Sequence, residues 1–167
     1  MLHKPVAFFS FEIGLNHLIP CYAGGLGILV GDMLKSAADM NLNMIGISLL
    51  YFQGVFQQAL DDKGNQTEFF ADWKPKDFMN LRPETFYIKI ENRPVRVQIW
   101  EYFLKGVLGQ KNPIYFLDTN CPENAQTDQA ICREVYPSDE NLWIKQPILL
   151  GLGSVEALKL IKYPILD

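Results

Sequence analysis

The sequence predicts an α/β fold built on a parallel strand–helix–strand unit near the amino terminus. An apolar run at 6–11 precedes a glycine-rich segment at 21–32, and a second apolar run follows at 44–50. A strand, a glycine loop, a helix and a second strand in this order form the βαβ unit of a parallel sheet. Between the two runs, apolar residues recur at helical spacing, which predicts one buried helix face. Its members are Leu26, Leu29, Val30, Met33, Leu34, Ala37 and Ala38.

The glycine-rich segment is a candidate binding site for an anion. Gly24 and Gly25 have no Cβ, so a ligand can approach their backbone closely. The first N–H groups of the following helix are unpaired and carry partial positive charge, which suits a phosphate. The glycine spacing does not match the dinucleotide-binding motif G-x-G-x-x-G. It does not match the P-loop either, because Lys35 lies too far along the chain. A tight turn that packs the helix against the sheet is the alternative interpretation.

Two β-hairpins are predicted after the second strand, because short runs of β-forming residues flank polar turns. Gly64 lies in the first turn, and the second hairpin has clear alternation in its second arm. The paired segments are 55–60 with 66–70, and 86–90 with 95–100. Residues 72–84, which contain Trp73 and two prolines, are predicted to form a loop between the hairpins.

The last third of the chain is predicted to contain a buried strand at 113–118 and helices at about 126–135 and about 140–161. Pro147 is expected to start or kink the second helix, because proline has no backbone N–H. Residues 163–167 indicate the beginning of a further strand. The sequence is therefore expected to be part of a larger fold.

Composition excludes several classes of function. The net charge of -4 and the lack of a basic cluster argue against nucleic acid as the main partner. No apolar stretch has the length of a membrane span or a signal-peptide core, so a cytoplasmic protein is expected. The thiols of Cys21, Cys121 and Cys132 are expected to be reduced. His3 and His17 have no partner at metal-ligand spacing, which predicts no metal site.

Several segments resemble the N-terminal region of the α-glucan (glycogen/maltodextrin) phosphorylases, especially the shorter bacterial and archaeal type. The similarity is most specific over 9–58 and looser over 60–112, and it runs in order from Val6 to Leu160. The segments that carry it are 9–15, 20–32, 35–39, 49–58, 115–124 and 149–153.

The resemblance implies a two-domain glycosyltransferase of the GT-B type, with Rossmann-like domains and the site in the cleft between them. Such enzymes cleave α-1,4-glucans with inorganic phosphate and release glucose 1-phosphate, using pyridoxal phosphate. By resemblance, Glu12, Gly24, Gly25 and Leu26 would bind substrate or phosphate, and no residue here is assigned a catalytic role. A solvated or salt-bridged loop carboxylate is the alternative for Glu12.

The resemblance also implies that residues 1–167 form a single incomplete N-terminal domain with inserted β-hairpins. Its parts would be a βαβ unit with the glycine loop at 1–50, a β-hairpin region at 51–112, and a strand with helices at 113–167. The C-terminal domain with the pyridoxal lysine would be absent. The isolated chain is therefore expected to be inactive and to bind no pyridoxal phosphate alone. Expected partners are α-1,4-glucan, phosphate, and a complementary C-terminal portion or a second copy.

Two other functions stay open on the sequence. A starch or glycogen synthase also has a Gly-Gly-Leu loop near its start, but a lysine just before the glycines would be expected there. A non-catalytic glucan-binding or assembly module could use Trp73, Trp100 and Trp143 to stack on sugars. Aromatic residues are more often part of the core, because they bury a large apolar area.

Overall fold

A five-stranded mixed sheet forms the centre of the computed structural model, which describes residues 5–164. The strand order is β1-β2-β7-β6-β5, and β3 pairs with β4 in a separate hairpin. The strands are β1 (Val6–Phe9), β2 (Met44–Leu49), β3 (Gln57–Leu60), β4 (Gln66–Phe69), β5 (Asn80–Ile90), β6 (Arg93–Lys105) and β7 (Lys111–Asp118). The helices are α1 (Gly25–Asp39), α2 (Gln126–Gln129), α3 (Glu140–Ile148) and α4 (Ser154–Leu160).

The predicted parallel unit is confirmed. Strand β1 pairs with β2 in parallel, with Val6 opposite Met44, and helix α1 connects the two strands. Strand β7 extends the parallel part of the sheet, and β6 and β5 continue it in the antiparallel direction. The mixed α/β fold class follows from this arrangement.

Helices cover both faces of the sheet. A Cβ built on Gly46 of β2 would lie 2.8 Å from a Leu34 methyl group of α1. A Cβ built on Gly153 would lie 3.0 Å from a methyl group of Leu117 in β7. Gly46 pairs with Ile114, so Leu117, three residues further on, points to the other face. Helix α1 and the α3–α4 segment therefore pack on opposite faces.

The expectation of a loop over 72–84 is wrong in its second half. Strand β5 already begins at Asn80 and contains Pro83. The β5–β6 register shifts between Leu81 and Thr85, which marks a bulge. Proline is tolerated in an edge strand and at a bulge, because no ladder hydrogen bond is lost there.

The helical predictions for the last third need two corrections. The helix expected at about 126–135 is only α2 followed by a 3₁₀ turn at Ala130–Cys132. Pro147 does not start the next helix but lies inside α3. Its missing N–H removes the hydrogen bond to the carbonyl four residues earlier. A π-helical segment at Leu149–Gly153 follows and joins α3 to α4.

The predicted buried face of α1 is wrong for three of its members. Leu26, Leu29 and Met33 are exposed by 47%, 58% and 41%. The helix instead packs through its glycines, because the loop backbone at Gly14 approaches it closely. The buried residues are Gly27, Val30, Gly31, Leu34, Ala37 and Ala38.

The β3–β4 hairpin forms as predicted, with Gly64 at φ 80° in its turn and all strand residues exposed.

Within residues 5–164, no helix combines the length and the apolar character needed to cross a bilayer. The strand expected at Ile165 and Leu166 lies outside the described residues.

We predict that Gly31→Ala destabilises the fold by about 1–3 kcal/mol, because overpacking forces backbone shifts. The added Cβ would lie 2.0 Å from the carbonyl oxygen of Gly14, a backbone atom that cannot rotate away. Gly25→Ala is the matched control, since no atom lies within 4 Å of its added Cβ. We expect the control to change stability by less than about 0.5 kcal/mol in urea unfolding. Equal losses for the two variants would contradict this account.

Candidate functional site

The candidate site lies where the first two strands end and helix α1 begins. Carboxyl ends of parallel strands meet at one edge of a sheet, and ligands of α/β proteins gather there. After β1, the Ser10 N–H donates to the carbonyl oxygen of Ile47 at 3.0 Å. The Ser48 hydroxyl donates to the carbonyl oxygen of Phe11 at 3.1 Å. These bonds fix the polypeptide that carries Glu12 at the end of the sheet.

Glu12 forms a clamp beneath the glycine loop. Its Oε2 atom accepts the N–H of Ala23 at 2.7 Å and the N–H of Gly24 at 3.0 Å. Its Oε1 atom accepts the hydroxyl of Tyr136 at 2.5 Å. The side chain is buried, with 3% exposure. A buried carboxylate needs such donors, because an unpaired charge would be costly there.

The pKa values reflect this geometry. Burial alone would raise the pKa of Glu12, but the donated bonds from Tyr136, Ala23 and Gly24 outweigh it and hold the pKa below its ordinary value. Partial burial and the bond to the Glu12 carboxylate raise the pKa of Tyr136 to about 12. At neutral pH the pair is therefore a carboxylate and a protonated phenol.

Tyr136 is held in an uncommon backbone conformation. Its φ of 56° lies in the left-handed region, which is rare for residues with a side chain. Such a conformation costs on the order of 1–3 kcal/mol and persists when neighbouring contacts fix it. The Glu12 bond and the nearby ring of Phe11, 6.4 Å between centroids, supply those contacts. Sequence analysis did not find this residue, because it lies far from Glu12 in the chain.

The predicted glycines lie at the open end of helix α1. No atom lies within 4 Å of a Cβ built on Gly24 or Gly25, so the space above both is free. Neither has a positive φ, so the glycines are not required there by backbone strain. A substitution of Gly25 would therefore meet no strain from a positive φ.

The N–H groups of this loop divide into two sets. The N–H groups of Ala23 and Gly24 both donate to the carboxylate of Glu12. Gly25 and Leu26 are the first two helical residues, and no hydrogen bond among the described residues uses their N–H groups. The structure thus brings Glu12, Gly24, Gly25 and Leu26 together, with the free donors at Gly25 and Leu26. Whether they bind phosphate or sugar stays a prediction.

Sequence comparison identifies relatives of the chain. A maltodextrin phosphorylase of Thermococcus litoralis is 36% identical over 166 residues, which cover 95% of the chain and 19% of that protein. A glycogen phosphorylase of Aquifex aeolicus is 34% identical over 93% of the chain and 23% of that protein. A glycogen phosphorylase of Mycobacterium tuberculosis is 34% identical over 92% of the chain and 18% of that protein.

The chain is homologous to the N-terminal part of the α-glucan phosphorylases. It spans about a fifth of the length of these relatives. No protein-family model matches it. The resemblance seen in the motifs is confirmed, and the phosphorylase motif at 20–32 is the segment that forms the open end of α1.

An apolar cavity adjoins the clamp formed by Glu12. It has a volume of about 190 Å³ and is lined by Phe11, Tyr136, Trp143, Gln146 and Pro147. A larger cavity of about 460 Å³ is lined in part by Lys145, and none of the predicted site residues lines it.

The three tryptophans have different environments. The Trp73 indole donates to the carbonyl oxygen of Phe52, and that of Trp100 donates to Asp118. Trp143 is 56% exposed. Only Trp143 is thus presented for stacking on a sugar, whereas the other two contribute to packing, as aromatic residues usually do.

The thiols and possible metal ligands show no site of their own. Cys21, Cys121 and Cys132 are free and buried, and burial raises the pKa of Cys21 to about 12. Such a thiol is a poor nucleophile and behaves as a small apolar group. Among residues 5–164, no cluster of His, Cys, Asp or Glu side chains could hold a metal ion. His3 lies outside the described residues.

We predict that Tyr136→Phe raises the pKa of Glu12, because it removes the hydroxyl that stabilises the carboxylate. The loss of this charge-assisted bond should cost about 1–2 kcal/mol of unfolding free energy at neutral pH. A carboxylate with a lowered folded pKa stabilises the fold above its unfolded pKa, and this stabilisation is lost as pH falls through the folded pKa. The difference between Tyr136→Phe and the unmodified chain should therefore vanish in acid.

Carbon-13 NMR titration of the Glu12 carboxyl carbon measures the pKa, and urea unfolding at several pH values measures the stability. Tyr102→Phe is a control for removal of a tyrosine hydroxyl elsewhere in the chain. An unchanged Glu12 pKa in Tyr136→Phe would show that the tyrosine does not hold the carboxylate in solution.

Proposed function

We propose that the chain supplies the amino-terminal part of an α-glucan phosphorylase, which converts α-1,4-glucan and phosphate to glucose 1-phosphate. The observation that carries the proposal is the alignment of nearly the whole chain with proteins named maltodextrin or glycogen phosphorylase. Residues 1–167 would form a single incomplete part of the Rossmann-like N-terminal domain of a GT-B enzyme. The parallel strands and the helices on both faces support this assignment.

The free N–H groups of Gly25 and Leu26 are proposed to donate to an oxygen of phosphate or of the glucosyl unit. They lie at the positive end of α1, where donors and helix dipole favour an electron-rich oxygen. Gly24 and Gly25 leave the approach open, since neither has a side chain and no other atom fills the space.

Glu12 is proposed to hold the glycine loop in place. Its two carboxylate oxygens are not proposed to bind the ligand together. Both of its oxygens already accept bonds, from Ala23 and Gly24 on one side and from Tyr136 on the other. The negative charge of Glu12 repels a second anion. A bound anion is therefore expected nearer to Gly25 and Leu26, whose N–H groups are free, than to Gly24, whose N–H donates to Glu12.

Pyridoxal phosphate is the cofactor that the family implies for the complete enzyme, where its phosphate group exchanges a proton with the reactants. The resemblance places the lysine that binds it in the C-terminal domain, and no residue of this chain is assigned to its covalent attachment. A Schiff-base lysine must be available as a neutral amine. Lys145 pairs with Glu91 at 3.0 Å and Lys35 pairs with Asp32 at 3.6 Å, so both side chains are engaged in ion pairs. No step of the reaction is therefore assigned to this chain through the cofactor.

The other two functions considered on the sequence are not favoured. The relatives are named phosphorylases, not starch or glycogen synthases. Of the three tryptophans considered for a glucan-binding module, Trp73 and Trp100 are engaged in packing. A cytoplasmic location, and binding of glucan and phosphate by the assembled protein, remain predictions.

We predict that the isolated chain releases no glucose 1-phosphate from maltoheptaose with phosphate and added pyridoxal phosphate. The positioning and electrostatic stabilisation that dominate such catalysis require a complete cleft. A coupled assay for glucose 1-phosphate with purified chain measures this. Turnover above the background without protein would contradict the proposal that the chain is only part of the enzyme.

We predict that glucose 1-phosphate, at millimolar concentration, shifts the amide resonances of Gly25 and Leu26 more than those of Ala23 and Gly24. The first two N–H groups are free, whereas Glu12 holds the others. Titration of nitrogen-15-labelled chain followed by NMR measures these shifts. Shifts confined to other surfaces would count against the helix end as the ligand site.

Gly25→Pro and Gly25→Ala form a matched pair for this titration. Proline is well accepted at the first helical position and removes the N–H there, whereas alanine keeps it. We expect the shift of Leu26 to persist in Gly25→Ala and to fall strongly in Gly25→Pro. Equal responses in the two variants would mean that the N–H of Gly25 does not contact the ligand.

A further inference from the structure

A polar cavity opens between the start of α3, the 3₁₀ turn after α2 and the turn that joins β5 to β6. Its volume of about 460 Å³ lies in the range of small-molecule sites, about 300–1,000 Å³. Two cations, Arg133 and Lys145, and two carboxylates, Glu91 and Asp139, line it. The cavity is therefore neutral overall but presents charges of both signs.

Two of these four side chains belong to a neutral network of ion pairs. The ammonium group of Lys145 pairs with Oε2 of Glu91 at 3.0 Å, and Arg93, which does not line the cavity, pairs with the same oxygen at 3.0 Å. Arg93 also pairs with Asp128 at 2.8 Å. Lys145 is buried, and Glu91 is its only carboxylate partner among residues 5–164. Because an ammonium group has three donors, Lys145 keeps donors for a further oxygen atom.

Arg133 and Asp139 have no counter-charge of their own. Among residues 5–164, no ion pair involves either side chain. One oxygen of Asp139 caps α3 by accepting the N–H of Asn141 at 2.9 Å, and no described residue donates to the other. Both residues are exposed and both line the cavity. The cavity thus brings an unpaired cation and an unpaired carboxylate to one space without joining them.

The charge pattern discriminates between classes of ligand. A phosphate-like anion would meet the carboxylates of Glu91 and Asp139, and a cation would meet Arg133 and Lys145, so that like charges repel in both cases. A neutral sugar would remove water from Arg133 and Asp139 without giving either a counter-charge. A zwitterion supplies both counter-charges, and its hydrogen bonds to them are charge-assisted.

We propose that this cavity binds a free α-amino acid with an apolar side chain. The carboxylate of the ligand accepts hydrogen bonds from Arg133 and Lys145, and its ammonium group donates to Asp139. Ala130 and Leu142, the two apolar residues of the lining, contact the ligand side chain. The lining includes no residue of the candidate site at α1. The inference therefore goes beyond the proposed function and does not depend on it.

The first test is a titration of nitrogen-15-labelled chain with L-leucine at millimolar concentration, followed by NMR. We expect saturable shifts of the amide resonances of residues 130–142. N-acetyl-L-leucine lacks the ammonium group and L-leucinamide lacks the carboxylate, so each should bind about tenfold or more weakly. Equal binding of the three compounds, or no saturable shift with L-leucine, would overturn the proposal.

Two cavity variants test the assigned residues. Arg133→Gln and Asp139→Asn each remove one charge and should weaken the binding of L-leucine about tenfold or more. Asparagine is also a good N-cap, so α3 keeps its cap in Asp139→Asn. Lys105→Gln and Asp62→Asn remove charges of the same signs at exposed positions outside the cavity and should leave binding unchanged. If these controls weaken binding as much as the cavity variants do, the proposed site is wrong.

The two leucine analogues assign each charge to its partner. In Arg133→Gln, the advantage of L-leucine over L-leucinamide should shrink, because the ligand carboxylate has lost one partner. In Asp139→Asn, the advantage over N-acetyl-L-leucine should shrink instead. Such a pairwise comparison isolates the interaction between one residue and one ligand group. If both advantages stay unchanged in both variants, the ligand charges do not contact these residues and the proposal fails.

Competition experiments separate the amino acid from other ligands. Maltoheptaose, inorganic phosphate and glucose 1-phosphate should not displace L-leucine. Displacement by inorganic phosphate would identify an anion site, and displacement by maltoheptaose a glucan site; either result would overturn the proposal. If L-leucine binds in the cavity while glucose 1-phosphate leaves Gly25 and Leu26 unaffected, the inference stands and the proposed ligand site at α1 does not.

Discussion

The bond network of Glu12 is the interaction on which the candidate site depends. One carboxylate joins three parts of the chain: the segment after β1, the loop before α1, and the turn at Tyr136 before α3. Because the side chain is buried, its charge is tolerable only while these donors remain in place. The same bonds hold Tyr136 at its positive φ and leave the N–H groups of Gly25 and Leu26 free. The conformation of the glycine loop, the charge at the site and the access of a ligand to it thus all depend on the Glu12 carboxylate.

The glycines of the phosphorylase motif divide into two structural roles. Gly27 and Gly31 allow close packing, because a Cβ on either would lie within 2.4 Å of Tyr22 or of the Gly14 backbone. A Cβ on Gly24 or Gly25 would meet no atom within 4 Å, so these two glycines leave the end of α1 accessible. The first pair seats the helix against the loop that carries Glu12, and the second pair keeps that helix end open. A single glycine-rich stretch therefore builds the site and gives access to it.

The parallel unit, the hairpins and the helix start could be predicted, because they follow from local spacing and turn residues. The contact of Glu12 with Tyr136 could not, since a sequence gives no distance between segments so far apart. The apolar pattern of α1 predicted that Leu26, Leu29 and Met33 are buried, whereas they are exposed. The pattern does not show how much of a wide apolar helix face the neighbouring elements cover. Pro147 was expected to start or kink a helix, but the π-helical segment that follows it at Leu149–Gly153 was not predicted.

Amide hydrogen exchange across residues 22–28 tests the central claim most directly. If the Glu12 clamp exists in solution, the N–H groups of Ala23 and Gly24 exchange slowly and those of Gly25 and Leu26 exchange fast. Glu12→Ala should then release the first pair while α1 beyond Ile28 stays protected. Fast exchange of all four amides in the unmodified chain, or slow exchange of Ala23 and Gly24 that persists in Glu12→Ala, would contradict the account.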